Sequence, residues 1–245
     1  MNKMPHITDG RRAFSLLEMA MVVTIIGLLA GAIIVGQNYV YRAQLTTMVN
    51  DAKYYRDALN RFEDKYHSLP GDMPNASAIW QYAGNGDGSG FISYPTNQRE
   101  FFLVFQHLAN AGFIEGAYTG VSVAGVQGAV PGKNVPAAAI ENVGYWFWDL
   151  NNDYLSGSTA FFDGYYVHPL VVGMIKSGDM PFNPFLTPKE AYQIDDKYDD
   201  GRPGTGTIRT QHAGSSPECV AGTNPASATY LGTNLVRCWL IFLQP

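Results

Sequence analysis

RRAFSLLEMAMVVTIIGLLAGAIIVGQ, residues 11–37, is the stretch that decides the fold of this chain. Its apolar run, residues 14–35, carries a single charge, Glu18. A helix needs about 20 apolar residues to cross the hydrocarbon core of a bilayer, so the run is long enough for a transmembrane helix. Lys3, Arg11 and Arg12 precede the run, which favours a cytoplasmic N-terminus and export of the residues that follow.

Two simpler interpretations of this segment are a signal peptide and an ordinary membrane anchor. The apolar region of a signal peptide is usually about 7–15 residues and is followed by a small-residue cleavage site. The run here is longer, and the polar sequence from Gln37 onward keeps a helical pattern. An ordinary anchor leaves Glu18 unexplained, because a carboxylate near the apolar core costs on the order of 2–3 kcal/mol and calls for a cationic partner.

The segment AFSLLEMAMVVTIIGLLAGAIIV resembles the N-terminus of type IV pilins and pseudopilins. Members of this family have a short basic leader, Phe at the first mature position and Glu at the fifth, and Phe14 and Glu18 have that spacing. The resemblance implies cleavage after Ala13 by a prepilin peptidase, followed by methylation of the new amine on Phe14. Where the family usually has Gly before the cut, this chain has Ala13, with Gly10 three residues earlier.

The resemblance also implies an intermolecular role for Glu18. Its carboxylate is expected to neutralise the Phe14 amine of a neighbouring subunit as that subunit enters a filament. An ion pair in an apolar medium is strong because the dielectric constant is low, and breaking it leaves an uncompensated charge. The expected partners are therefore other pilins in a homo- or hetero-oligomeric filament, the prepilin peptidase and an inner-membrane assembly platform.

The expected organisation has four parts: leader 1–13, transmembrane or filament-core helix 14–36, amphipathic continuation 37–68 and globular domain 69–245. Apolar residues at spacings of mostly three or four predict that the helix continues to His67. The expected buried face consists of Val40, Leu45, Met48, Val49, Ala52, Tyr55, Leu59, Phe62 and Tyr66. Leu69-Pro70-Gly71 ends the helix, since Pro disfavours helix before it.

The globular part, residues 69–245, is predicted to form short strands separated by Gly, Pro, Asn and Ser, with one helix at residues 100–111. The strand candidates are VGYWFWDL, GYYVHPLVVGMI and RCWLIFL. The expected fold class is α+β: a long N-terminal helix packed on an antiparallel sheet. The segment KYHSLPGDMPNAS after the helix resembles one found in a subgroup of large pilin-like proteins.

The loop NGDGSGFIS, residues 85–93, is the first candidate metal site. As a calcium loop it would use Asn85, Asp87 and Ser89 as alternate ligands and the carbonyl of Phe91, with Ile92 packed inward. The twelfth position holds Thr96 in place of the bidentate Glu of that template. The alternative is a glycine-rich β-turn with solvated polar groups.

The segment IDDKYDDGRPGTG, residues 194–206, is the second candidate, and it is expected to form an acidic loop. Its four carboxylates crowd one turn: Asp195, Asp196, Asp199 and Asp200. Pseudopilins of type II secretion often bind calcium in a C-terminal acidic loop, so the resemblance implies calcium here too. The alternative is a solvated loop whose charges pair with Lys197, Arg202 or Arg209.

Cys219 and Cys238 are the two cysteines of the chain. Their number and spacing fit no four-ligand zinc site, and in an exported domain a disulfide is the natural prediction. Type IV pilins often have such a C-terminal disulfide loop. Two reduced, buried thiols are the alternative.

No enzyme motif is found: the five histidines are scattered, and neither HExxH nor GxSxG occurs. The net charge of −5 provides no basic field for nucleic acid, which is expected as a partner only in a DNA-uptake role. We therefore expect a filament subunit that resides in the bacterial inner membrane as a single-pass protein and then in a periplasmic or cell-surface filament. The alternative is a minor pilin at a filament tip, acting in binding, adhesion or DNA uptake.

Overall fold

The computed structural model describes residues 15–92, 100–122, 128–148, 154–158, 160–211 and 218–244. The helices are α1 Leu16–Tyr66, α2 Ala76–Ile79, α3 Glu100–Asn110 and α4 Pro188–Tyr198. The strands are β1 Val143–Phe147, β2 Tyr154–Leu155, β3 Gly164–Tyr165, β4 Leu170–Met174, β5 Ile208–Arg209, β6 Val220–Ala221, β7 Thr229–Tyr230 and β8 Leu240–Phe242. One long N-terminal helix and an antiparallel sheet confirm the expected α+β class. The predicted processing residues Ala13 and Phe14 lie outside the described residues, as does Thr96.

The chain forms two compact units, Met1–Ala43 and Gln44–Pro245, and helix α1 contributes residues to both. In the first unit, every described side chain up to residue 40 is exposed, including Leu16, Ile26 and Val40. This part of α1 is long and apolar enough to span a membrane. Val40 was expected on the buried face, but 61% of it is exposed, because the packed part of the helix begins at Leu45.

The second unit is organised around a four-stranded antiparallel sheet with strand order β1-β4-β8-β5. In the register, Tyr145 lies opposite Val172 and Val171 opposite Ile241. All five residues of β1 are buried, which explains why its sequence is apolar without alternation. Two further two-stranded ladders, β2-β3 and β6-β7, lie outside this sheet.

The core of the second unit is formed by α1, α3 and the sheet. The first nine residues of α3 are all buried, and Phe101 meets the ring of Trp146 on β1 edge to face at 5.9 Å. Tyr145 on β1 donates its hydroxyl hydrogen to the Met48 carbonyl at 3.3 Å or to Asp51 Oδ2 at 3.2 Å. These contacts confirm the predicted packing of the second half of α1 on the sheet.

Arg56 is a buried residue of α1 that the apolar pattern did not predict, with 8% of its surface exposed. Its guanidinium donates through Nη1 to the main-chain carbonyls of Phe242 and His168. Both acceptors are distant in the sequence, so no local pattern could have identified them. Arg56 thus ties the helix to the end of β8 and to the segment before β4.

Cys219 and Cys238 form a disulfide, as predicted, with their Cα atoms 5.0 Å apart. Both residues are fully buried. The loop that the disulfide closes contains the β6-β7 ladder.

The prediction of a loop for residues 194–206 was wrong over its first part, which is the end of helix α4. Thr187 caps this helix: its side chain accepts from the Glu190 N–H, and the Glu190 carboxylate accepts from the Thr187 N–H at 2.8 Å. Pro188 occupies the first turn, where its missing N–H costs nothing. The sequence T-P-K-E could therefore have been recognised as the start of a helix.

Candidate functional site

Helix α1 begins with a reciprocal pair of hydrogen bonds between Ser15 and Glu18. The Glu18 N–H donates to Ser15 Oγ at 3.1 Å, and the Ser15 N–H donates to Glu18 Oε2 at 3.4 Å. This is the capping-box arrangement, in which a hydroxyl and a carboxylate satisfy donors that the helix start leaves open. The sequence S-L-L-E already contained this signal, which the sequence analysis did not use.

The capping box gives Glu18 a local role besides the intermolecular one that the resemblance implies. Both hydrogen bonds lie on the exposed surface of the first unit. Neither neutralises the carboxylate, since Ser15 contributes a hydroxyl and an N–H but no positive charge. Within the part of the chain that the structure describes, no cation lies within ion-pair distance of Glu18.

A first group of carboxylates assembles where α1 ends and α3 begins. Asp72, Asp87 and Glu100 place one carboxylate oxygen each within 4.8 Å of one another. Asp72 and Glu100 are only 2% and 1% exposed, whereas Asp87 is at the surface. Asp72 comes from the turn that ends α1, and Glu100 is the first residue of α3. Three acidic groups at this distance repel one another and favour a bound cation.

His107 on α3 holds the two loops of this group together. Its Nδ1 accepts from the Gly71 N–H at 2.9 Å, and its Nε2 lies 2.8 Å from the Gly84 carbonyl. With Nδ1 accepting, the proton must be on Nε2, so the neutral ring satisfies both partners. Burial lowers the pKa of His107, which favours this neutral form. His107 therefore has a structural role, joining the turn after α1 to the segment that contains Gly84.

The Asp72 carboxylate is the centre of the loop that carries Asp87. It accepts from the Gly90 N–H at 2.8 Å and from the Ser89 N–H at 2.9 Å. Burial raises the pKa of Asp72; the two main-chain hydrogen bonds oppose this rise, and the neighbouring Asp87 adds to it. A cation at this position would remove that destabilisation of the charged form.

The residues of the predicted calcium loop do not all converge on one site, as the template of consecutive loop ligands requires. Asp87 belongs to the carboxylate group, but Asn85 Oδ1 accepts from the N–H of Ser77 in helix α2 at 2.8 Å. Ser89 contributes its N–H to Asp72 and Asp87. Phe91 is half-buried, and Ile92 is fully buried as predicted. Asp72 was missed because it lies outside the loop in sequence, and Glu100 was set aside because it lies four residues beyond the twelfth position of the template.

A second group contains Asp195, Asp199 and Asp200, three of the four residues predicted. The fourth, Asp196, is exposed and accepts from the Tyr192 hydroxyl at 3.3 Å, one helical turn earlier. It lies on a different face because Asp195 and Asp196 are consecutive residues of a helix, not of a loop.

Donors within the chain already surround the carboxylates of the second group. Asp195 accepts from the Tyr230 hydroxyl at 2.7 Å and from the Gly201 N–H at 3.1 Å. Asp199 Oδ2 accepts from the Ile208 N–H at 2.8 Å and also from the Thr207 N–H. These aspartates therefore organise the chain between α4 and β5.

The predicted pairing of this group with nearby cations is not found among the described residues. Lys197 instead lies over the ring of Tyr198, with Nζ 4.8 Å from the centroid. Arg209 lies over the ring of Tyr166 at 5.3 Å and donates through Nε to the Gly206 carbonyl. Among the described residues the hydrogen-bond donors to Asp195 are neutral groups, the Tyr230 hydroxyl and the Gly201 N–H. Burial raises the pKa of Asp195 to about 7.

Calcium, the ion expected at both groups, fits the first better. Calcium is bound by six to eight oxygens, among them carboxylates and main-chain carbonyls. Asp72, Asp87 and Glu100 provide three carboxylates from three segments of the chain, two of them buried. In the second group only Asp195 is buried, whereas Asp199 is half-buried and Asp200 is exposed.

Comparisons with protein-family models, with curated proteins and with solved structures find no match to this chain.

Proposed function

We propose that this chain is a structural subunit of a type IV pilus-like filament or a type II secretion pseudopilus. The observation that carries the proposal is the first part of α1, where an apolar surface is exposed on every side and Glu18 is the one charge within residues 15–40. Such a surface is stable only in lipid or against other apolar helices. A membrane span buries it before assembly, and helices of neighbouring subunits bury it in the filament.

The proposed mechanism is assembly and not turnover. After cleavage between Ala13 and Phe14, the new amine of one subunit pairs with the Glu18 carboxylate of the next and sets the register between them. A charge that costs free energy in a single helix becomes a specific contact in a bundle. The partners are other pilins, the prepilin peptidase and an inner-membrane assembly platform, and the subunit moves from the inner membrane to a filament in the periplasm or at the cell surface.

Two substitutions at the start of α1 separate the charge of Glu18 from its capping role. Glu18→Gln keeps a side-chain oxygen for the Ser15 N–H but removes the charge, and we expect incorporation into filaments to fall at least about tenfold. Ser15→Ala weakens the cap and keeps the charge, so incorporation should remain within about twofold. The measurement is the ratio of filament-bound to membrane-bound subunit in sheared cells. Normal incorporation of Glu18→Gln would show that Glu18 is a capping residue only.

Intact-mass spectrometry of the chain from its native membrane tests the processing step independently. We expect a mature N-terminus at Phe14 carrying one additional methyl group. A chain that still begins at Met1, or that is cleaved elsewhere, would contradict the assembly mechanism, because no free Phe14 amine would then exist.

A minor subunit at the filament tip, acting in binding, adhesion or DNA uptake, is the alternative form of this proposal. Its support is the large second unit, Gln44–Pro245, which exceeds what a small shaft subunit needs. Quantification separates the two forms: a shaft subunit dominates the protein mass of sheared filaments, whereas a tip subunit is present at a few copies per filament.

Calcium enters the proposal as a structural ion. Asp72, Asp87 and Glu100 would hold it, and the group of Asp195, Asp199 and Asp200 is the second candidate. Bound at the first group, calcium would neutralise the repelling carboxylates and fix the turn after α1 to the start of α3.

A further inference from the structure

A cleft of about 380 Å³ lies beside the buried half of α1 in the second unit. Its walls come from α1, the end of α4, strand β5 and the segment after β8. Arg56 and Lys53 line it with positive charge, and Asp57 is the carboxylate among its lining residues. Ile208 and Leu243, which are 2% and 7% exposed, give it an apolar side.

Arg56 brings an unusual charge to this cleft. The residue is 8% exposed, yet among the described residues no carboxylate oxygen lies within ion-pair distance of its guanidinium. Its hydrogen bonds to the carbonyls of Phe242 and His168 both come from Nη1. In the described part of the chain no hydrogen bond from Nε or Nη2 is found, so these donors remain available on a residue that faces the cleft.

Main-chain carbonyls satisfy donors but do not neutralise a charge. A buried guanidinium without a counter-charge is costly, and removing it from water lowers the pKa of Arg56 to about 10, an effect that Asp57 only partly opposes. Arg56 therefore remains charged at neutral pH. The adjacent His168 adds no second positive charge, because burial and Arg56 itself lower the pKa of His168 to about 4 and keep the ring neutral.

Lys53 adds a second cation at the exposed end of the cleft. Its Nζ lies 5.1 Å from the centroid of the Tyr198 ring, which positions the ammonium group. Asn60 and Gln244 also line the cleft, and the Gln244 amide donates to Asn60 Oδ1 at 2.6 Å. Arg56, Lys53 and the exposed Asp57 together give the cleft one net positive charge, and the buried residue among them, Arg56, is a cation.

We propose that this cleft binds a carboxylate, which the Nε and Nη2 groups of Arg56 hold through two parallel hydrogen bonds while Lys53 attracts it from the exposed end. The planar fork of a guanidinium matches the two oxygens of a carboxylate, and the single net charge of the cleft suits a monoanion. The apolar wall accommodates the carbon portion of an organic acid. The carboxylate belongs either to a free small acid or to an Asp or Glu side chain of a second copy of the chain.

Nuclear magnetic resonance on the full chain in detergent micelles tests the chemistry directly. Sodium acetate is added against sodium chloride at matched ionic strength, and the Arg56 Nε–H resonance is followed, its assignment made by Arg56→Lys. We expect a saturable shift with acetate and none with chloride. An Arg56 resonance that responds equally to both salts would overturn the proposal.

Two lysine variants provide a matched control that does not disturb the buried Arg56. Lys53→Gln should weaken acetate binding about fivefold, because it removes roughly 1 kcal/mol of attraction at a partly exposed site. Lys197→Gln should leave it unchanged, since Lys197 also lies over the Tyr198 ring but does not line the cleft. Equal effects of the two variants would mean that acetate responds to general surface charge and would overturn the cleft as its site.

Protein concentration then identifies the source of the carboxylate. If the Arg56 resonance moves toward its acetate-bound position as the chain is concentrated without acetate, the ligand is a side chain of a second copy. If it stays in place while acetate still binds, the ligand is a free small acid.

Discussion

Each half of helix α1 has an ionic residue among apolar neighbours, Glu18 in the exposed first half and Arg56 on the buried face of the second, and the two differ in where they find partners. Arg56 is buried, and carbonyls 112 and 186 residues away in the same chain accept its hydrogen bonds. Glu18 is exposed, and its described partner is Ser15, three residues away. The comparison teaches that the second half of α1 packs against distant segments of its own chain, whereas the apolar surface of the first half is left uncovered by the described residues.

The largest expected contrast comes from shortening one apolar side chain in each half. Phe62→Ala removes a fully buried ring and should lower the free energy of unfolding of the second unit by about 3–5 kcal/mol. Ile26→Ala changes a residue that is 59% exposed in the first unit and should leave that free energy unchanged. Urea unfolding in micelles, followed by tryptophan fluorescence, measures both. A comparable loss for Ile26→Ala would show that the first half supports the fold of the second unit.

The next largest expected effect is that of calcium on the stability of the chain, through the turn that follows α1. If it binds Asp72, Asp87 and Glu100, free calcium at 100 times its dissociation constant should stabilise the chain by about 2.7 kcal/mol, which raises the melting temperature by several degrees. Asp87→Asn should abolish most of this rise. Asp64→Asn, which alters an exposed carboxylate of α1 outside the group, should preserve it. Identical melting curves in calcium and in chelator would exclude calcium as a structural ion.

Acid should destabilise the region around Arg56. His168 is buried with a pKa of about 4, so the folded chain keeps the ring neutral while the unfolded chain protonates it near pH 6.5. The stabilisation is present above pH 6.5 and is lost as the pH falls through the window from 6.5 to 4. Between pH 7.5 and 4.5 the loss should reach about 2.5 kcal/mol.

His168→Asn identifies the residue responsible for this loss, because Asn tolerates the positive φ of 40° at this position and does not titrate. We expect the variant to lose less stability than the parent chain over the same pH range in urea unfolding. An unchanged acid response would assign the effect to other groups.

Raising the pH should lower the free energy of unfolding by a smaller amount, through Asp195 in the second acidic group. Asp195 has a pKa raised to about 7, so the folded chain retains a proton that the unfolded chain has released. Stability therefore decreases as the pH rises through 7, by about 1.4 kcal/mol between pH 6 and pH 8. Asp195→Asn should flatten this dependence. A parent chain whose stability does not change over that range would contradict the raised pKa of Asp195.

The parts of the fold predicted from the sequence are those encoded by local patterns. Helix α1 follows from apolar spacing, and three of the four strands of the sheet, β1, β4 and β8, lie in predicted strand segments, whereas β5 was not predicted. The disulfide follows from two cysteines in a segment expected to be exported. Arg56 was missed because its acceptors lie in distant segments of the chain and because a charge interrupts the apolar pattern. Helix α4 was missed because its acidic end resembled a loop, although the T-P-K-E start was local.

The candidate metal site was predicted only in part for a similar reason. The sequence pattern identified Asp87, but a template of consecutive loop residues could not find Asp72 and Glu100 on either side. The fold brings these three residues together through His107, which bonds to both Gly71 and Gly84. Because their proximity depends on how α3 packs after α1, spacing in the sequence does not encode it.

The burial of the disulfide constrains the order of events as the chain folds. Cys219 and Cys238 have no exposed surface, so an oxidant cannot reach their thiols once the second unit has closed around them. The bond must therefore form while the last strand, β8, is still accessible, and folding then shields it from reductants. A chain that closes with its thiols reduced would remain reduced until it opened again, which makes the timing of oxidation a checkpoint in the maturation of this protein.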